Sequence, residues 1–228
     1  VKYAGNRNEE RVIKHIMETA PLYLDKRVTY HGFGSSNYKS REVRACFRAL
    51  DEAKVIQLIH PSTSVEPPII TDFKKSPRMQ FLDTGILNHA LDLFPHLLSV
   101  EDLSTTYKGA LLPHIITQEL ISLQEEQFEK PKFWVRQKKG AQAEVDLLYP
   151  YRELVIPIEI KSGKVGKLRS LHQFIERSPH PYAIRMYAGL FSIEKHKTPR
   201  GKPFILINLP YYLTLQLDSY LDYATNKF

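Results

Sequence analysis

Residues 143–163, AEVDLLYPYRELVIPIEIKSG, constrain the fold more than any other stretch of the chain. They read as two strands around a turn at Tyr149–Glu153, and strands this apolar belong inside a sheet. Yet the first carries Asp146 and the second ends in Glu159-Ile160-Lys161. Side chains alternate faces along a strand. Ile156, Ile158 and Ile160 therefore face one way, and Val155, Glu159 and Lys161 the other; Asp146 shares a face with Glu144. If the strands are neighbours, Asp146 and Glu159 meet at one sheet end with Lys161 beside them. Unpaired buried carboxylates are costly. Lys161 offsets part of that charge. A Mg²⁺ ion would offset more, since it takes oxygen ligands from one or two carboxylates and keeps several waters. Such an ion can activate water and stabilise a phosphodiester transition state, with the lysine helping. Asp146, Glu159 and Lys161 are thus the candidate catalytic set, and Asp146 and Glu159 the candidate metal ligands. A solvated hairpin end with a Glu–Lys pair is the alternative.

The rest of the chain supplies a setting for this pair. Residues 8–19 predict a helix, with Asn8 as cap and Val12, Ile13, Ile16 and Met17 as an apolar stripe. Pro21, Gly32 and Gly34 break the next piece. Ser40 can cap a helix whose Val43, Cys46, Phe47 and Leu50 share a face, and strands are expected at Val55–Ile59 and Ile69-Ile70. Helix, broken helix, helix and two strands is the order of a winged helix-turn-helix. A short strand at Met79–Leu82, a helix capped at Asp83 or Thr84 and a long helix over 109–126 follow. Strands at 132–136, 144–149 and 154–161, a helix at 166–177, strands at 183–188 and 204–208 and a last helix at 211–224 complete the chain. That is an αβββαβ core with a mixed sheet. A boundary is expected near residues 72–78, giving a winged-helix domain over 1–75 and an α/β domain over 76–228.

Asp-x12-Glu-x-Lys after a helix resembles the PD-(D/E)xK nuclease signature, whose core is αβββαβ. The resemblance is wider. FLDTG at 81–85, GALL at 109–112, AEVDLL at 143–148, IPIEIKSG at 156–163 and NLPYYL at 208–213 look like the C-terminal half of a bacterial and archaeal AAA+-type ATPase family. Its members carry an N-terminal P-loop ATPase, a winged helix and a restriction-endonuclease-like domain. The resemblance implies ATP binding in a region outside this chain, the ATPase domain of the same protein as a partner, and a role on DNA with weak or vestigial nuclease chemistry. Val1 in place of Met fits a piece of a longer protein. GSSNYKS at 34–40 supplies no ATP site, because Phe33 and Tyr38 stand where a phosphate loop needs glycine. One departure stands out. The family has a glutamate in the long helix where this chain has Pro113, and Glu119 lies about 1.7 turns further on. Catalysis is therefore expected to be weak or absent.

Charge points to a second surface. Lys plus Arg is 32 against 25 Asp plus Glu, a net +7 that favours a polyanionic partner. Arg41, Arg44 and Arg48 form a stripe beside the apolar face of their helix, placed as a recognition helix would place phosphate contacts. A solvated helix face is the alternative. Lys130, Lys132, Arg136, Lys138 and Lys139 form a second basic run; Phe133 and Trp134 within it are expected in the core. Cys46 is the sole cysteine, so a disulfide framework is excluded. No apolar run reaches the roughly 18 residues of a membrane span. A cytoplasmic protein is expected, with a regulatory or protein-interaction module as the rival to DNA binding. The sequence leaves the oligomeric state open.

Overall fold

The computed structural model describes residues 7–24, 26–91, 111–123, 130–136, 143–161 and 168–228. Helices α1 (Arg7–Thr19) and α2 (Ser40–Glu52) each carry an apolar stripe at three- and four-residue spacing. Val12 and Ile16 of α1 share one buried core with Val43, Cys46, Phe47 and Leu50 of α2. Short 3-10 turns, Ala20–Tyr23 and Phe33–Ser35, lie between them. Gly34 has φ +62°, and a Cβ there would lie 2.5 Å from His15 Nε2, so any other residue is strained there. The cap of α2 is Lys39 rather than the expected Ser40. Glu42 lies three residues on, and its Oε2 accepts the Lys39 backbone N–H at 3.1 Å.

Strands β1 (Ile56–Ile59), β2 (Pro61–Ser62) and β3 (Arg78–Phe81) follow. The expected strand at Ile69-Ile70 does not form, and β1 pairs antiparallel with β3. Pro67 and Pro68 carry no N–H donor for a ladder, and Ile70 is exposed. β2 turns away and pairs with β4 (Lys132–Val135) at the edge of a second sheet. Conversely, Phe81 of β3, Leu87 of α3 (Thr84–Ala90) and Leu111 pack into the core of α1 and α2. Asp83 caps α3, accepting the Gly85 N–H at 2.7 Å. Packing therefore bridges the 72–78 segment in both directions.

The remaining elements are α4 (Leu111–Ser122), β5 (Glu144–Tyr151), β6 (Leu154–Ile160), α5 (Arg169–Ile175), β7 (Tyr182–Tyr187), β8 (Ser192–Lys197), β9 (Pro203–Pro210), a 3-10 stretch Tyr211–Gln216 and α6 (Leu217–Lys227). The fold is mixed α/β. Its larger sheet has seven strands in the order β2-β4-β5-β6-β7-β9-β8, with β6, β7 and β9 parallel and β5 antiparallel to β6. From α4 to β7 the order is αβββαβ. Strand β8 has a weak sequence signal: SIEKHK is mostly polar and lies at the sheet edge, paired only with β9.

Both faces of the sheet are covered. On one, Leu112, Ile116 and Leu120 of α4 and Leu217 and Leu221 of α6 pack with Ile156, Ile158 and Ile160. On the other, Leu171, Phe174 and Ile175 of α5 pack with Trp134, Val145, Leu148 and Val155. The alternation read from β6 is thus the one that sorts its side chains between layers. Each fully buried isoleucine contributes about 2 kcal/mol. A lone carboxylate among them would cancel that gain, so Asp146 and Glu159 need partners.

Candidate functional site

Asp146 sits where β5 is irregular. Lys132 pairs with Leu148 and Trp134 with Val145, so β5 spends one residue more than β4 over this interval. A bulge re-aims side chains. Val145 accordingly joins the α5 layer and Leu147 the α4 layer, although they are two residues apart. Asp146 reaches across to β6, where its Oδ2 accepts the Ile160 N–H at 2.8 Å. The β5–β6 ladder runs from Tyr151–Leu154 to Leu147–Ile158, so the carboxylate binds β6 just beyond the last backbone pair.

The other oxygen of Asp146 meets a cation the sequence did not place there. Arg78 Nη1 lies 3.6 Å from Asp146 Oδ1, and its Nη2 lies 2.9 Å from Glu144 Oε2. Glu144 Oε1 in turn pairs with Arg27 Nη2 at 2.6 Å. Arg27 and Arg78 face each other across an isolated antiparallel bridge. Both guanidiniums lie over the ring of Phe133, at 5.6 and 4.5 Å from its centroid. Phe133 and Trp134 are buried, as expected of core residues.

Glu159 is buried and offers Oε1 to Lys161 Nζ at 2.6 Å. Its Oε2 is buried without a hydrogen-bond partner. Burial first, and the charge of Asp146 second, push its pKa up from 4.5 to about 7, against the pull of Lys161 and Arg78. The cluster therefore holds three carboxylates and three cations. Glu144 is expected on one face with Asp146 but not as part of the set, and Arg27 and Arg78 were missed because they come from the loop before α2 and from β3. The signal available was a lone arginine opening the apolar run Arg78-Met79-Gln80-Phe81.

These residues can be weighed against a Mg²⁺ ion. Of the four carboxylate oxygens of Asp146 and Glu159, three already face a protein N–H, guanidinium or ammonium. Mg²⁺ needs open oxygen ligands in octahedral array, and the donor set as it stands does not fit one. Among the described residues, no group of three or more His, Cys, Asp or Glu side chains is arranged to hold a metal. Pro113 is the third described residue of α4, and it lines a cavity of about 30 Å³ together with Arg78 and Asp146. The helix thus faces the carboxylate with a ring that neither donates nor accepts.

The arginine stripe of α2 divides. Arg44 and Arg48 line a cleft of about 840 Å³ with Lys74, Lys75 and Lys130, while Arg41 lies exposed outside it. Arg44 lies over the Tyr30 ring at 4.9 Å. Lys130 Nζ reaches both oxygens of Asp51 at 2.7 Å, and Asp51 Oδ1 also accepts the Leu58 N–H at 3.1 Å. Phe73 is exposed on the rim, against the ring of His60. Lys138 and Lys139 of the second basic run lie outside the described residues.

Residues 108–212 match a domain of unknown function, DUF4143, and residues 1–97 match another, DUF8612. DUF4143 is a domain found in the C-terminal region of AAA-ATPase-like proteins. The two matches meet between residues 97 and 108, beyond α3, which packs with the N-terminal core. No curated protein and no solved structure matches the chain. Among the described residues, no helix is long and apolar enough to cross a membrane.

Proposed function

We propose that the chain is the DNA-binding C-terminal region of an AAA+-type ATPase. In this reading residues around α1, α2, β1 and β3 act as a winged helix, and the large sheet is a PD-(D/E)xK-like domain that keeps its fold and has lost its chemistry. The observation that carries it is the cleft of Arg44 and Arg48. Lys74 joins them as a third cation, while Lys130 pairs with Asp51 and Lys75 with Asp72, which leaves Glu52 as the remaining carboxylate in the lining. Guanidinium forks at such spacing suit phosphate oxygens along a duplex backbone. The nuclease-like cluster supports the second half. Arg78 and Lys161 supply the positive charge that metal would otherwise supply, so Asp146 and Glu159 serve as structural partners.

Fluorescence anisotropy of a labelled duplex against salt concentration tests this. Arg44→Ala with Arg48→Ala weakens binding and lowers the log–log salt slope by roughly 0.9 for each phosphate no longer neutralised. Binding with an unchanged slope, or no binding at all, defeats the reading. It would then favour the rival, a protein-interaction module, for which exposed Phe73 on the cleft rim would be the docking surface.

A further inference from the structure

A second basic cleft lies on the α5 side of the large sheet, away from α4. It encloses about 510 Å³ and is lined by Arg136, Arg169, Arg177 and Arg200, with His172 and Glu176. The four arginines come from three places: the end of β4, the two ends of α5 and the turn between β8 and β9. Among the described residues, none of them is in an ion pair with a carboxylate. Arg136 Nη1 donates to Gln173 Oε1 at 3.1 Å, and Arg177 Nη1 to the Gln173 carbonyl at 2.5 Å. Arg136 Nε is buried with no partner. Burial first, then Arg136 and Arg200, press the pKa of Arg177 down, and Glu176 presses it up. Arg136 and Arg200 are therefore close enough to Arg177 to repel it, and among the described lining residues Glu176 is the one carboxylate.

Like charges gathered on one cleft raise the energy of the protein alone, and a compact polyanion would relieve that repulsion. A planar fork binds phosphate in two-point fashion. The enclosed volume falls within the roughly 300–1,000 Å³ of small-ligand pockets. We propose that this cleft binds a small ligand carrying two or more adjacent phosphates, the class of pyrophosphate and nucleoside polyphosphates. It shares no lining residue with the cleft of Arg44 and Arg48 and stands independently of the DNA reading.

Titration calorimetry of the whole chain with pyrophosphate, ADP and ATP, with sulfate as the plain-anion control, tests this. One saturable pyrophosphate site is expected, with a rise in Tm as ligand accumulates on the folded state. Arg169→Gln with Arg200→Gln, both exposed positions, should weaken it by at least about tenfold, while circular dichroism stays unchanged. Arg177→Lys, which keeps the charge and loses the fork, should weaken it less, and Arg48→Ala not at all. ADP tighter than pyrophosphate identifies a nucleotide as the ligand; equal affinity identifies the phosphates alone. No binding, binding matched by sulfate, or affinity unchanged in the double variant overturns the proposal. So does a duplex that binds through Arg169 and Arg200 where pyrophosphate does not.

Discussion

Arg78 Nη1 lies 3.6 Å from Asp146 Oδ1 although the two residues are 68 positions apart. The contact ties β3 of the small sheet to the bulge in β5 of the large one. Its side chain is 15% exposed and those of Asp146 and Glu144 are 18% and 25%, so water screens the group only in part. Arg78→Met removes the cation at Asp146 Oδ1 and leaves Glu144 with Arg27 alone. A loss of about 3 kcal/mol is expected from urea unfolding. Arg78→Lys should recover part of it, since it restores charge without the fork. A loss in Arg78→Met within about 0.5 kcal/mol would mean that solvent already neutralises the pair.

Glu159 makes stability depend on pH in an unusual sense. Its folded pKa, about 7, lies above its ordinary 4.5, so between those values the folded state binds more protons than the unfolded one. Its contribution is greatest below pH 4.5 and is lost as pH rises to about 7. Glu159→Gln should flatten that slope and gain stability, by at most about 3 kcal/mol, at and above neutral pH. Chemical unfolding at a series of pH values reads this directly; an unchanged slope would mean that Lys161 keeps the carboxylate ionised.

His180 works in the opposite direction. It is buried, its Nε2 lies 2.8 Å from the Val155 carbonyl, and its Nδ1 accepts the Tyr182 N–H at 3.2 Å. That pairing fixes the neutral Nε2–H tautomer, and burial lowers its pKa below 6.5. The folded state then binds fewer protons than the unfolded state. Stability from this group is complete above about pH 6.5 and falls as pH drops toward its folded value. His180→Ala should cost about 2 kcal/mol at pH 8 and remove the corresponding part of the acid-side decline.

Pro113 and Arg78 can be tested together for their effect on metal binding. Both line the small cavity at Asp146. Pro113→Glu adds a carboxylate, and Arg78→Met vacates the cation's place. Only the double variant is expected to bind Mn²⁺ well, at least about tenfold more tightly than the unaltered chain, by electron paramagnetic resonance. Equal Mn²⁺ binding by the unaltered chain would show that Arg78 does not exclude metal.

Much of this was legible in the sequence because the relevant signals are local. The period-two pattern of Val155–Lys161 carries its own division between two core layers. The spacing of Val43, Cys46, Phe47 and Leu50 does the same for α2. What local pattern cannot carry is distance along the chain. Arg27, Arg78 and Glu144 meet only after β3 has found β1, and no periodicity announces that Ile69-Ile70 will be passed over. The bulge at Asp146 shows only as a register shift against β4. The four arginines of the second cleft are scattered from Arg136 to Arg200, each an ordinary surface residue in its own stretch.

The exchange of strands between the two sheets also sets an order of events in time. β1 finds its partner as soon as Phe81 has been made, but Pro61 and Ser62 must wait for Phe133 and Trp134. At about 5–20 residues per second on a ribosome, the interval from Phe81 to Trp134 is roughly three to eleven seconds. Throughout it a short strand stands beside a finished sheet with nothing to join. A fragment cut at residue 75 would prolong that state for β1 as well, since it ends before Arg78–Phe81 can close the ladder.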